Sequence, residues 1–188
     1  MSVLLTNYLN GIYPLSPALK EKLSSIIKTK SVEKKDLLLK QGQVSDCIYF
    51  IEKGFIRSWY EKEGKETTAW FMADNDFIIS VESFFKRTKS YENIEALQDS
   101  VLHYIDYEEL QTLYSEYIEF NIVGRLLTTH YYILSEERLY NMRRQSAFER
   151  YQFLVRKYPE VLQNASLTQI SSYLGITLET LSRVRAKK

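Results

Sequence analysis

The sequence predicts an α+β protein in which an N-terminal antiparallel β-roll is followed by a long central helix and a small C-terminal domain of helices. Three observations lead to this prediction. Short β-rich runs recur between Leu37 and Ile105, apolar residues then follow at helical spacing, and the C-terminal part of the chain is strongly basic. The predicted units are residues 1–106 for the roll, 107–141 for a dimerisation helix and 142–188 for the helical domain.

One or two short helices are predicted in the first 30 residues. Ser16 suits an N-cap and Pro17 suits the first helical position, while Leu19 and Leu23 lie one turn apart on the same face. The pattern then changes to short β-rich runs such as CIYFIEKG and ETTAWFM, which are separated by turn residues that include glycine. A roll or sandwich of about eight strands is expected.

A single long helix is predicted after Asp106, because no proline interrupts residues 107–145 and apolar residues recur at helical spacing. Gly124 inside it predicts a close approach of another helix. Since a small roll covers only part of so long an apolar stripe, we expect a second copy to cover the rest in a twofold dimer. The alternative is that the stripe packs only on its own domain. The stripe consists of Phe120, Val123, Leu127, Tyr131 and Leu134.

Charge is distributed unevenly along the chain. Residues 1–137 hold 15 Lys and Arg against 21 Asp and Glu, a balance of −6, whereas residues 138–188 hold 10 against 3, a balance of +7. The C-terminal module is therefore the candidate for a polyanionic partner.

Several classes of protein are not expected. The single Cys47, with isolated His103 and His130, leaves too few ligands for a zinc or iron–sulfur site. The sequence contains no recognisable nucleophile–base pair or phosphate-binding glycine loop, so we do not expect an enzyme. No apolar run is long enough for a membrane span, and no basic region precedes the N-terminal apolar residues, so we expect a cytoplasmic location.

The C-terminal residues have the pattern of a helix-turn-helix. Ser166 and Gln169 form a capping-box pair, Gly175 suits the end of that helix, and Thr177 suits the cap of the next. Apolar residues stand where the two helices face each other, and Ser171 supplies the small residue where their backbones meet. The apolar set is Ile170, Leu174, Ile176, Leu181 and Val184.

The second helix of this motif presents a polar face suited to the major groove. Glu179 and Arg183 lie one turn apart with Ser182 beside them. Arginine can donate two hydrogen bonds to guanine, and glutamate can accept one from cytosine. The alternative is an ordinary helical hairpin with an exposed ion pair. The basic residues that follow, Arg185, Lys187 and Lys188, are expected to contact phosphates.

The sequence resembles the Crp/Fnr family of bacterial transcription regulators. The specific match is LTQISSYLGITLETLSRV, and weaker matches are LLLKQGQVSDCIYFIEKGFIR, DFI and IEALQDSVL. The resemblance implies a roll like a cyclic nucleotide-binding domain, a TTGA-like half-site, and duplex DNA, a second copy, RNA polymerase and a small-molecule effector as partners. The base-reading positions that it implies are Thr177, Glu179, Thr180, Ser182 and Arg183, with Thr168 as a further DNA contact.

Two departures from the family limit what is carried over. Ser80 replaces the glutamate of the nucleotide pocket, and Ser90 and Tyr91 replace its arginine and the residue after it, so we do not expect cyclic AMP to bind. One cysteine also excludes the oxygen-sensing branch. Other candidates to line an effector pocket are Trp59, Tyr60, Trp70, Glu82 and Arg87, with simple packing as the alternative.

The second departure is that the chain has no residues for a β-hairpin wing after the last helix, so the basic tail is expected to make part of its phosphate contacts. The resulting prediction is a homodimeric DNA-binding regulator. The alternative is a ligand-binding or protein-interaction module whose basic end docks on an acidic protein.

Overall fold

The computed structural model describes residues 3–186 and begins with two short helices, α1 (Val3–Ile12) and α2 (Pro17–Ile26). Ser16 caps α2 as predicted, because its hydroxyl oxygen accepts a hydrogen bond from the Leu19 N–H at 3.2 Å. The apolar faces of both helices pack in one core cluster with Phe50 of the roll.

Eight strands follow in two four-stranded antiparallel sheets, which confirms the predicted roll. Between the sheets, Ile51 and Leu102 of one pack against Ile56 and Ile94 of the other, and all four side chains are fully buried. The sheet orders are β1-β8-β3-β6 and β2-β7-β4-β5. The strands are β1 (Lys28–Val32), β2 (Leu37–Leu39), β3 (Cys47–Lys53), β4 (Ile56–Lys62), β5 (Lys65–Met72), β6 (Phe77–Ile78), β7 (Asn93–Ala96) and β8 (Ser100–Asp106).

Two elements of the roll were not predicted. Strand β1 has only one buried residue, Val32, so it carries little hydrophobic signal and is formed by its pairing with β8. A six-residue helix, α3 (Val81–Lys86), lies between β6 and β7, and its C-cap Arg87 has a left-handed backbone conformation.

The single helix predicted over 107–141 is wrong, because the structure has two helices there, α4 (Tyr107–Glu116) and α5 (Ile118–Arg144). Tyr117 between them has extended backbone angles, φ −124° and ψ 105°. The Asn121 side chain donates hydrogen bonds to carbonyl oxygens near the break, those of Tyr114 at 2.7 Å and Tyr117 at 3.3 Å. These bonds satisfy acceptors that a continuous helix would have bonded internally.

Gly124 does permit a close approach, and its neighbour is Tyr114 of α4 in the same chain. A Cβ added at Gly124 would lie 2.5 Å from the Tyr114 hydroxyl oxygen. The ring of Tyr114 also packs on Phe120, with centroids 5.2 Å apart. The glycine therefore lets α4 fold back on α5.

The assignment of Phe120 and Val123 to a dimer interface is corrected, because both are buried in the core of their own chain. Tyr131 also belongs to that face, since its hydroxyl oxygen accepts a hydrogen bond from the Phe77 N–H at 2.6 Å. Leu127 and Leu134 are half-buried. The predicted stripe is real, but Phe120, Val123, Leu127 and Tyr131 pack within their own chain.

A different face of α5 carries apolar side chains that are exposed or half-buried. Ile133 is 59% exposed and Tyr140 is 53% exposed, and half-buried Ile122 and Leu126 precede them on the same side of the helix. The intervals of four, seven and seven residues keep these side chains in one line along α5.

The C-terminal unit consists of four helices: α6 (Ala147–Lys157), α7 (Val161–Asn164), α8 (Leu167–Leu174) and α9 (Leu178–Ala186). The unit packs on the roll through one apolar cluster, in which Phe55 and Phe71 contact Tyr158 and Tyr173. None of the helices in residues 3–186 combines the length and apolar character that crossing a bilayer requires.

Candidate nucleic-acid interface

The turn between α8 and α9 has the geometry that the sequence predicts. Ser166 and Gln169 form a complete capping box at the start of α8. Gly175 ends α8 in the left-handed conformation, φ 64° and ψ 39°, and its N–H donates to the carbonyl oxygens of Ser171 and Ser172. The turn therefore fixes the direction in which α9 leaves α8.

Helix α9 begins at a threonine cap. The hydroxyl oxygen of Thr177 accepts a hydrogen bond from the Thr180 N–H at 3.1 Å. Leu181 and Val184 are buried, with exposures of 0% and 6%, and Leu181 packs in the cluster that contains Ile170 and Leu174 of α8. The apolar side of α9 thus holds the helix against the rest of the unit.

The opposite side of α9 is exposed as predicted. Arg183 Nη2 lies 3.9 Å from Glu179 Oε1, with side-chain exposures of 69% and 81%, and donates a hydrogen bond to the Thr180 hydroxyl at 3.3 Å. An ion pair this long and exposed contributes little stability, so both groups can exchange it for contacts with a ligand. Thr168, Thr177, Ser182 and Arg185 are exposed, Thr180 is half-buried, and Lys187 and Lys188 lie outside the described residues.

Arg138 of α5 holds this unit against the roll, a role that no sequence pattern indicates. Its guanidinium lies 3.8 Å from the ring centroid of Tyr173 and 5.4 Å from that of Trp70, and it donates to the Tyr173 carbonyl oxygen at 3.1 Å. Nearby, the Thr68 N–H donates to the Ser172 hydroxyl oxygen at 3.1 Å. The roll, α5 and α8 meet at these contacts.

The residues proposed for an effector pocket do not all meet at one place: Ser80 lies beside Ser90 and Tyr60 beside Tyr91, whereas Glu82 and Arg87 are held elsewhere. Arg87 donates hydrogen bonds to the Ser45 carbonyl oxygen at 2.7 Å and to the Asp46 carboxylate, so its guanidinium is already paired with an acid. Glu82 pairs with Lys86 on the exposed side of α3 at 3.0 Å. Both residues are held by contacts local to α3 and its neighbouring loop.

The aromatic candidates are also divided. Trp70 contacts Arg138 at the boundary with the C-terminal unit. Tyr60 and Tyr91 contact each other edge to face, with centroids 6.3 Å apart, and Tyr91 is 54% exposed. Trp59 lies under the guanidinium of Arg57, and its indole N–H has no hydrogen-bond acceptor within the described part of the chain. The spacing of these residues in the sequence could not predict where their side chains lie relative to one another, because they come from different strands and loops.

A buried polar cluster, formed by Ser58, Ser80, Ser90 and Glu92, occupies the inside of the roll. The hydroxyl oxygens of Ser80 and Ser90 are 3.1 Å apart, and Glu92 is only 6% exposed. Burial raises the pKa of the Glu92 carboxyl, while hydrogen bonds from Ser80 and Ser58 partly oppose that rise. Glu92 was not predicted as part of a site, since a single glutamate before a strand has no distinctive pattern.

Comparisons with known proteins agree with this architecture. Residues 29–117 match the family model of the cyclic nucleotide-binding domain. FixK2 of Bradyrhizobium japonicum is similar in structure with a TM-score of 0.70 and 20% identity, over 86% of this chain and 84% of that chain. A protein of Eubacterium rectale assigned to the Crp/Fnr family of transcriptional regulators gives a TM-score of 0.71 and 19% identity, over 95% and 85%.

A third solved structure is that of CLP, the c-di-GMP responsive global regulator of Xanthomonas campestris. It gives a TM-score of 0.67 and 12% identity, over 92% of this chain and 91% of that chain. Comparison with curated proteins found no match. Residues 29–117 are therefore similar to the cyclic nucleotide-binding domain, and the chain, as its sequence predicts, has the α+β fold seen in a solved protein assigned to the Crp/Fnr family.

Proposed function

We propose that this protein is a homodimeric transcription regulator that binds a pseudo-palindromic DNA site through helix α9. The observation that carries the proposal is the division of α9 into two sides. Leu181 and Val184 are buried, whereas Glu179, Ser182 and Arg183 face solvent on a helix of fixed direction. A short, rigidly held helix with donors and acceptors on its free side fits the major groove.

Each exposed polar group has a matching partner on DNA. The guanidinium of Arg183 can donate to O6 and N7 of guanine, and the Glu179 carboxylate can accept from the amino group of cytosine. Exposed Arg185 can contact a phosphate, which adds affinity without sequence information. The bases are read by Glu179 and Arg183, which lie in the first two turns of α9.

The dimer forms through the exposed line on α5. Ile122, Leu126, Ile133 and Tyr140 lie on one side of α5. Two such lines packed across a twofold axis bury apolar surface that water otherwise covers. The two recognition helices then enter successive major grooves about 34 to 36 Å apart.

Cyclic AMP is not the effector of this roll. Arg87 is bonded to Ser45 and Asp46 and is not available to pair with the phosphate of cyclic AMP, and the buried Glu92 carboxyl makes the interior of the roll unfavourable for an anion. If another ligand reaches the roll, it acts by shifting the orientation of the DNA-binding units. Calorimetric titration with cyclic AMP should show no binding, and micromolar affinity would contradict this assignment.

Titration with duplex DNA tests the proposed function. A duplex with two inverted TTGA-containing half-sites should bind more tightly than a scrambled duplex, and affinity should fall steeply as salt rises from 50 to 200 mM. Failure to bind either duplex at low salt would contradict the proposal. It would favour the alternative, in which the basic end docks on an acidic protein.

A further inference from the structure

Two neighbouring arginines, Arg143 and Arg144, end helix α5, and both side chains are exposed. The residue before them, Met142, contacts the turn that leads into α9. A Cβ added at Gly175 would lie only 2.7 Å from the terminal methyl carbon of Met142. The end of α5 is therefore beside the start of the recognition helix, although the two are about 30 residues apart in sequence.

The last turn of α5 is held in place by α6. Arg150 Nη1 donates hydrogen bonds to the carbonyl oxygens of Met142 at 3.3 Å and Gln145 at 3.1 Å. Because these bonds fix the backbone that carries Arg143 and Arg144, that backbone loses less conformational freedom when the arginines bind a partner.

Neither of the two arginines has an acidic partner within residues 3–186. Arg57, Arg87 and Arg183 each pair with an acid, whereas neither Arg143 nor Arg144 forms an ion pair within residues 3–186. The guanidinium of Arg144 lies over the ring of Tyr140, 5.6 Å from the ring centroid.

The neighbouring helix end is closed to a phosphate. The Glu149 carboxylate accepts hydrogen bonds from the Ser146 N–H at 2.8 Å and from its hydroxyl at 2.7 Å. An anion at the start of α6 would meet this carboxylate, so the exposed side chains of Arg143 and Arg144 are better placed than this helix end to bind a phosphate.

We infer that Arg143 and Arg144 bind the DNA backbone beside the base-reading surface, an inference that rests on the proposed function. A helix whose first turns lie in the major groove brings the groups beside its N-terminal end close to the phosphates that border the groove, which is about 12 Å wide. Guanidinium groups form charge-assisted bonds to phosphate without reading sequence. Both arginines also interact favourably with the α5 dipole, and that effect does not depend on DNA.

The test compares the double variant Arg143→Ala/Arg144→Ala with a control that removes two exposed charges from the β4–β5 hairpin, Lys62→Ala/Lys65→Ala. Affinity is measured against salt concentration for the inverted-repeat duplex and for a scrambled duplex. A dimer loses four phosphate contacts, so the slope of log affinity against log salt should fall by roughly 3.6, at about 0.9 for each contact. The slope of the control should not change, and Arg143→Lys/Arg144→Lys should keep most of the wild-type slope. Thermal unfolding checks that each variant is folded.

The outcomes separate this inference from the proposed function. Wild-type protein that binds no duplex defeats the proposed function itself. Wild-type protein that binds with a steep slope, while the double alanine variant keeps that slope, overturns only the inference about Arg143 and Arg144. A loss confined to the inverted repeat also overturns it, because phosphate contacts weaken all sequences about equally.

Discussion

Replacing Gly175 by alanine should destabilise the C-terminal unit by roughly 1–2 kcal/mol, the cost of holding an L-residue in the left-handed helical conformation. Gly175 has φ 64° and ψ 39° at the end of α8. The new methyl group would also lie 2.7 Å from the terminal carbon of Met142. Because that carbon ends a flexible side chain that can move aside, we expect the backbone strain to dominate.

Gly64 provides a matched control. Its φ is +72°, and a Cβ added there would have no atom within 4 Å, so Gly64→Ala should show the backbone strain alone. Gly175→Asn should recover much of the lost stability, because asparagine visits the left-handed region more readily than alanine. A clearly larger loss for Gly175→Ala than for Gly64→Ala would measure the contact with Met142.

Urea unfolding followed by circular dichroism measures these free energies, and titration with the inverted-repeat duplex follows the effect on DNA affinity. Weaker binding is expected for Gly175→Ala, since the turn sets the direction of α9. If Gly175→Ala were as stable as the wild type while Gly64→Ala lost the expected amount, the left-handed conformation of residue 175 would not require glycine.

Three further outcomes are expected. Ile133→Glu should dissociate the dimer in sedimentation velocity, whereas Thr128→Glu, on another side of α5, should leave it intact; a dimeric Ile133→Glu protein would exclude the proposed interface. Glu92→Gln should become more stable relative to the wild type as pH rises from 4 towards neutrality. Burial raises the pKa of Glu92 in the folded state, so the unfolded chain releases this proton at a lower pH than the folded protein does. Wild-type stability therefore falls as pH rises, whereas the glutamine variant lacks this effect. A gain independent of pH in urea unfolding would contradict that cause. Arg185→Ala should weaken binding of all duplexes about equally, and a loss specific to one sequence would show that Arg185 reads a base.

Helix α9 and its exposed side could be predicted from the sequence because their signals are local. Ser166, Gly175 and Thr177 act within a few residues of their own positions, and each has the hydrogen bonds that its type favours. The exposed side of α9 follows directly from the burial of Leu181 and Val184. No contact with a distant part of the chain was needed for this part of the prediction.

The central helix was harder to predict because the spacing of apolar residues does not indicate which surface the apolar stripe packs against. The helical spacing continues across Tyr117, yet contacts of Tyr114 with Gly124 and Phe120 fold α4 back and break the helix. For the same reason, burial of Val123 against the roll could not be distinguished from burial against a second copy.

The positions of Glu82 and Arg87 could not be predicted for a related reason. Glu82 and Arg87 are near each other in sequence, but each has a partner that removes it from the interior: Lys86 for one and Asp46 for the other. The link through Arg138 joins three units that are distant in sequence. Such contacts depend on the packing of whole elements and leave no local pattern.

Selection of bound sequences from random duplexes, done in parallel for the wild type and Arg183→Ala, tests the central claim most directly. The wild type should enrich an inverted repeat whose half-sites are centred about 10 to 10.5 base pairs apart, or a multiple of that distance. Arg183→Ala should lose preference at one base pair in each half-site, at a cost of about 1–3 kcal/mol on the selected site. An identical motif and affinity for both proteins, or no enrichment by the wild type, would contradict the claim that α9 reads DNA.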